Sequence, residues 1–144
     1  MTSITRSALV MFTAEQMFDL VNDVESYPEF LPGCAATELL SKTDEELQAT
    51  LTISKAGVNQ SFTTKNLLTY PYRMEMTLVD GPFSRFVGVW HFDRLSDEAC
   101  KVSLDMDFEV TNKLAGIALG AVFKQVAGSM VDAFVNRANK IYKK

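Results

Sequence analysis

From Cys100 to Val110 every second residue is apolar: Cys100, Val102, Leu104, Met106, Phe108 and Val110 alternate with Lys101, Ser103, Asp105, Asp107 and Glu109. A period of two sends successive side chains to opposite faces, so the stretch reads as a strand with one buried and one wet face. A sheet wetted on one side is antiparallel, because parallel sheets are covered on both. Shorter versions recur upstream. Leu47, Ala49, Leu51 and Ile53 alternate with Gln48, Thr50 and Thr52, and Met74, Met76 and Leu78 alternate with Arg73, Glu75 and Thr77. Short breaks at Lys55-Ala56-Gly57, Tyr70-Pro71-Tyr72, Asp80-Gly81-Pro82 and Leu95-Ser96-Asp97-Glu98 suit hairpins. Together they predict a meander of about six strands between Gly33 and Val110.

The flanks follow another period. Ser3 to Met11 reads as a strand, and Thr13-Ala14-Glu15-Gln16 as a capping box opening a helix with an apolar stripe of Met17, Phe18, Leu20, Val21 and Val24. Ser26-Tyr27-Pro28-Glu29 predicts a second short helix, ended by Pro32-Gly33. From Asn112 to Lys144, Ala115, Ala118, Leu119, Val122, Val126, Met130, Ala133, Phe134 and Ile141 recur at helical spacing. Leu114, Ile117, Ala121 and Phe123 widen the apolar arc, so the N-terminal end of this helix is expected to be buried on more than one side. The order predicts an α+β fold, one domain over residues 1–144, with the long helix covering the apolar sheet face. Val122 and Val126 should then meet Val102, Leu104 and Met106.

Eighteen acidic against 14 basic residues leave a net charge of −4, so no global positive field draws nucleic acid, and DNA is not an expected partner. Cys34 and Cys100 are widely separated, which suits buried free thiols rather than a metal or redox motif. The N-terminus lacks a signal-peptide layout, and the apolar run Leu114–Phe123 falls short of the roughly 20 residues that span a bilayer. The expectation is a soluble cytoplasmic protein with no transmembrane segment.

Candidate chemistry concentrates after the Asp80-Gly81-Pro82 reversal, where Phe86, Gly88, Trp90 and Phe92 share one face. Gly88 either leaves room for a ligand or accommodates a crossing helix. Gln60, Thr64 and Asn66 share a face with Val58, Phe62 and Leu68; they either point inward toward a polar headgroup or reach solvent through a twist or bulge. Met74, Met76 and Met106 suit an adaptable cavity or ordinary core filling. His91, the only histidine, falls opposite Trp90 and Phe92 and has no marked partner for acid–base work. One histidine and two separated cysteines do not make a metal site. Gly116 and Gly120 form a GxxxG step that suits close helix–sheet approach or cavity volume.

The segments Val21–Cys34 and Asp80–Phe92 together resemble the polyketide-cyclase/START-like family, in the branch of bacterial relatives of the mitochondrial coenzyme Q-binding protein. The resemblance covers almost the whole chain. It implies a helix-grip fold, a curved antiparallel sheet wrapped around the C-terminal helix with two short helices closing one end. It also implies a hydrophobic tunnel able to hold ubiquinone or a similar prenyl lipid, with a portal at Tyr27, Phe30, Leu31 and Pro32. The family's pocket-facing motif falls on Phe83, Phe86, Trp90 and Phe92. With inward faces added, the expected lining is Phe30, Leu31, Phe62, Met74, Met76, Phe83, Phe86, Gly88, Trp90, Phe92, Met106, Phe108, Ile117, Ala118, Ala121 and Val122. The function so implied is non-enzymatic lipid binding in support of respiratory electron transport, without a catalytic cofactor, and with transient visits to the inner membrane surface. The same branch includes ribosome-association toxins that bind the large ribosomal subunit, block subunit joining and often accompany a small antitoxin-like partner. For that reading Lys140, Lys143 and Lys144 are the docking candidates, with Lys124 and Arg137 nearby. The same lysines also complement a helix C-terminus. A cyclase or aromatase activity lacks a positioned acid–base pair.

Overall fold

Each period seen in the sequence becomes an element in a computed structural model, which describes residues 2–111 and 113–142. Strand β1 (Thr2–Val10) leads into helix α1 (Ala14–Asn22) and a 3₁₀ segment (Val24–Glu29). Six strands follow: β2 (Cys34–Lys42), β3 (Glu46–Lys55), β4 (Val58–Thr69), β5 (Arg73–Asp80), β6 (Phe83–Arg94) and β7 (Cys100–Val110). Helix α2 (Lys113–Ile141) completes the chain's order. All strands belong to one antiparallel sheet, ordered β1-β7-β6-β5-β4-β3-β2. The first strand therefore closes onto the last, with Ile4 opposite Met106 and Thr2 opposite Phe108.

Local chemistry fixes the approach to the sheet. The Gln16 amide donates to the Thr13 hydroxyl at 3.1 Å, and the Thr13 amide donates to Gln16 Oε1 at 2.9 Å, completing the capping box. The second short helix starts earlier than expected, at Val24, and stops at Glu29, before Pro32-Gly33. The chain turns there because the Phe30 and Leu31 amides both donate to the Tyr27 carbonyl, at 3.2 and 2.8 Å. Gly33 has another task. Its φ is +84°, and a Cβ there would lie 2.8 Å from Val126 Cγ2, so only glycine lets the chain pass α2 into β2.

The concave sheet face grips α2. Val122, Phe123, Val126, Ala127, Met130, Val131, Phe134 and Ala138 are buried along one side of the helix. Val102, Leu104 and Met106 are buried beneath them, as the alternation of β7 requires. The N-terminal end of α2 departs from expectation. Ile117 is 76% exposed, and Ala118 and Ala121 are exposed too. At about 100° per residue Ile117 and Ala121 fall away from the Val122–Val126 face, whereas Ala118, one turn before Val122, begins the same row and is exposed there. The side chains of Leu114, Ala115 and Gly116 lie outside the described residues. Residues Ile117–Ile141 are long and apolar enough to cross a membrane by length and composition, a property the short run Leu114–Phe123 did not reveal. Half of that window is buried in the protein's own domain, as befits a core helix.

Phe134 marks the tightest point of the grip. It is fully buried, with ring centroids of Tyr27 and Phe30 at 5.3 Å and Trp90 at 5.4 Å. Truncating it to alanine should cost about 3–5 kcal/mol, the usual penalty for emptying an aromatic core site. Urea unfolding of Phe134→Ala against the parent checks this, and a loss under about 1 kcal/mol would mean that α2 is not held this way.

Candidate functional site

Two aromatic clusters form where α2 crosses the sheet. At one end Phe123 packs with Phe62, Phe83, Phe86 and Phe108, at centroid distances of 5.5, 5.0, 5.7 and 4.8 Å. At the other, Phe134 gathers Tyr27, Phe30 and Trp90, and Trp90 stacks on Phe92 at 6.1 Å. Between them lies a cavity of about 40 Å³. Its walls are Val24, Tyr27 and Leu31 from the 3₁₀ segment and the loop after it, and Leu51 and Ile53 from β3. Phe62, Thr64 and Asn66 come from β4, Met76, Phe86 and Met106 from β5 to β7, and Phe123, Val126 and Met130 from α2. All are buried.

Of the expected lining, Leu31, Phe62, Met76, Phe86 and Met106 reach this cavity. Met74, Phe83, Gly88, Trp90, Phe92, Phe108 and Val122 are buried in the core beside it, while Phe30 is partly buried at the portal. Ile117, Ala118 and Ala121 face outward. Residues that share a strand face need not share a cavity: at about 3.3 Å per residue, Phe86 and Phe92 stand about 20 Å apart along β6. Trp90 thus belongs to the Phe134 cluster, and its indole N–H has no hydrogen-bond partner among the described residues. Val24, Leu51, Ile53, Phe123, Val126 and Met130 were missing from the expected lining. Leu51 and Ile53 carried a signal in the alternation of β3, as did Val126 and Met130 in the i,i+4 continuation of Val122.

Gly88 supplies space, and methionine fills it. A Cβ at Gly88 would lie 2.7 Å from Met76 Cε and 3.2 Å from Met106 Cε. Both thioethers border the cavity, so their methyl ends are the movable part of its wall. The polar strand face divides: Gln60 is exposed, whereas Thr64 and Asn66 are each 4% exposed. The Thr64 hydroxyl donates to Asn66 Oδ1 at 3.2 Å, and Asn66 Nδ2 meets Met74 Sδ at 3.9 Å.

Among the described residues no carboxylate, imidazole or ammonium group lines the cavity. Its one phenol, Tyr27, donates to the Val21 carbonyl, and burial pushes its pKa far up. Burial also raises the Cys34 thiol and pushes Cys100 up to about 11, so both are neutral near pH 7. His91 sits half-buried on the opposite sheet face from Trp90 and Phe92.

Outside, one cation near the basic end of α2 is already engaged. Arg137 reaches Glu29 at 3.5 Å and lies 5.0 Å over the Phe30 ring, fastening the portal to α2. Lys124 and Lys140 are exposed; Lys143 and Lys144 lie outside the described residues. The Tyr142 hydroxyl donates to the Gln16 carbonyl at 3.0 Å, and its pKa is raised by burial and then by Asp19 and Asp23. Asp19 of α1 and Asp23 just after it therefore act on the Tyr142 hydroxyl.

Apolar surface collects at one rim of the sheet instead. Val10 pairs with Cys100, Arg94 with Cys100, His91 with Arg73 and Thr69 with Arg73, so the ends of β1, β4 and β6 and the starts of β5 and β7 share a rim. Ten large apolar side chains stand exposed among the described residues, and Leu9, Met11, Tyr70, Tyr72, Leu95 and Ile141 are on or beside this rim.

Replacing Gly88 with alanine should drive the Met76 methyl toward the cavity. The expected cost is about 1–3 kcal/mol, with the Met76 and Met106 methyl resonances shifting in a ¹³C-methionine spectrum while other methyls hold. Unchanged Met76 and Met106 signals would show that the thioethers do not occupy the space over Gly88.

The chain is 50% identical over 142 residues to the ribosome association toxin RatA of Escherichia coli K12, covering 99% of this chain and 90% of that protein. It is 28% identical to the mitochondrial coenzyme Q-binding protein COQ10 homolog B of Xenopus laevis, over 96% of this chain but 58% of that one. The Zhui aromatase/cyclase of Streptomyces sp. R1128 shares the fold with a TM-score of 0.85 at 19% identity, covering 99% of this chain and 96% of that one. Residues 10–135 match the family described as polyketide cyclase/dehydrase and lipid transport, and the chain belongs to it.

Proposed function

We propose that this protein works by associating with the ribosome and catalyses no reaction. The observation that carries this reading is the 50% identity to a ribosome association toxin across 99% of the chain. The likeness to a toxin and to a coenzyme Q-binding protein supports the non-catalytic part. The docking surface we assign is the apolar rim of Leu9, Met11, Tyr72 and Leu95, contacting an apolar protein surface of the large subunit. The net charge of −4 disfavours docking driven by rRNA phosphates. In this reading the protein is cytoplasmic, and a small antitoxin-like partner would compete for the same rim.

Co-sedimentation with purified large subunits tests it. Leu9, Met11 and Leu95 are 73, 74 and 56% exposed, so their triple replacement by serine should leave the fold intact. Binding should drop about tenfold or more. Lys140→Ala should change it little, and raising salt from about 50 to 200 mM should weaken the parent modestly, since few counterions are released. Steep salt dependence with unchanged binding by the triple variant would move the docking site to the basic residues. No association by the parent at any salt would remove the ribosome reading.

A second reading has its own observation, the apolar cavity under α2. We propose that it holds a hydrophobic ligand, with ubiquinone or another prenyl lipid as the first candidate. The likeness to a coenzyme Q-binding protein supports this. At about 40 Å³ the cavity as it stands has room for no more than a few water-sized probes, so a prenyl chain must displace the methionine ends and part α2 from the 3₁₀ segment. Each methylene then buried contributes about 0.8 kcal/mol toward that opening. Organic extraction of purified protein followed by mass spectrometry should recover a stoichiometric lipid. Lipid-free protein that also fails to bind added short-chain ubiquinone would refute the prenyl-lipid assignment.

A further inference from the structure

The cavity wall contains a polar pair that the fold itself leaves underused. On the concave face Asn66 sits between Leu47 of β3 and Met76 of β5, and Thr64 lies opposite Ala49. Every one of those neighbours is apolar and buried. An amide carries two N–H donors and a carbonyl acceptor. Asn66 Oδ1 accepts from the Thr64 hydroxyl at 3.2 Å, which orients the side chain with Nδ2 away from that bond. Nδ2 then meets only Met74 Sδ, a weak acceptor, at 3.9 Å among the described residues. A donor this poorly matched, on a side chain 4% exposed, costs stability that leucine at the same position would not.

We infer that Asn66, oriented by Thr64, selects the buried tip of the ligand: a neutral molecule with an apolar tail and a carbonyl oxygen at its inner end. This rests on the reading of the cavity as a ligand site and adds the chemistry of what enters it. Asn66 Nδ2 donates to the carbonyl oxygen, and the remaining walls, from Phe62 to Met130, take up the tail. An anionic head is disfavoured because, among the described residues, no lysine or arginine lines the cavity to pair with it. The Thr64 hydroxyl spends its proton on Asn66, so the amide N–H is the group left to read the ligand.

The test compares three probes of matched length, 2-octanone, octane and octanoate, with ¹³C-methyl methionine spectra as readout. In the parent, 2-octanone should shift the Met76, Met106 and Met130 methyls, binding about tenfold tighter than octane after correction for aqueous solubility, the worth of one buried hydrogen bond. Octanoate should bind more weakly than the ketone. Asn66→Leu should erase the ketone's advantage while octane binds equally or better. Thr64→Val, which frees the amide from its orienting bond, should shrink the advantage and serves if the leucine variant does not fold. Equal binding of ketone and octane by the parent would overturn the selection while keeping the cavity as a ligand site. A ketone advantage that survives in Asn66→Leu or, failing that, Thr64→Val would likewise overturn it. If neither ketone nor octane shifts those three methyls, the ligand-site reading itself falls.

Discussion

One side of α2 pressed into the concave face of the sheet is the contact on which the rest depends. The helix contributes Val122, Val126, Met130 and Phe134, four residues apart in turn, and all are buried. The sheet can stay open and one-faced only because this stripe covers it. The same contact decides where emptiness can exist. A helix is a cylinder and the sheet a curved trough, so side chains must fill the wedge between them. Phe123 and Phe134 fill its two ends with aromatic rings. The middle is left to Val126 and Met130, which are too slender to close it, and the cavity lies there.

Much of this was legible in the chain. Strict alternation in β7 specified the strand, its inward face and its antiparallel neighbours. The capping box specified where α1 begins, and the 3,4-spaced residues of α2 specified its buried side. What failed was depth within a face. Period two says which way Phe86, Trp90 and Phe92 point, but not which of them stands beside the cavity; that depends on strand curvature and on which helix residue lies opposite. Helical phase likewise needs an anchor. Ile117 and Ala121 are apolar at plausible spacing, yet the turn that seats Val122 and Val126 leaves them outside, and Ala118, in line with Val122, is exposed as well. Partnership was also invisible: nothing in the sequence said that Arg137 would be engaged by Glu29 and Phe30.

The charges at the end of α2 bear on docking in two ways. Lysines near a helix C-terminus suggest a basic patch, but they also complement the helix dipole. Screening and compensation leave such a surface with little reach beyond about 10 Å in ordinary salt. Apolar side chains are not screened. The exposed rim residues therefore offer the more durable contribution to association, and they also carry the greater risk of non-specific association if no partner covers them.

The interior cavity and the exterior rim are separate, but they share a support. Tyr27 lines the cavity, its ring packs on Phe134, and its hydroxyl donates to the Val21 carbonyl in α1. Phe18 of α1 in turn packs edge-on against Tyr70 at the rim, with centroids 4.9 Å apart. A ligand that widened the cavity would press on Tyr27 and the 3₁₀ segment, because the sheet wall is braced by its hydrogen-bond ladders while the opposite wall rests on side-chain packing. The Arg137–Glu29 contact resists that outward movement, yet Glu29 is 62% exposed, so water screens the pair and its hold is weak. Cavity opening is therefore limited chiefly by the aromatic packing of Tyr27 and Phe30 on Phe134. An interior ligand could act on the rim by two packed routes, through the Tyr27 hydroxyl into α1 and through Phe134, Trp90 and Phe92 to Phe18, which share Phe18 and Tyr70 at their outer end.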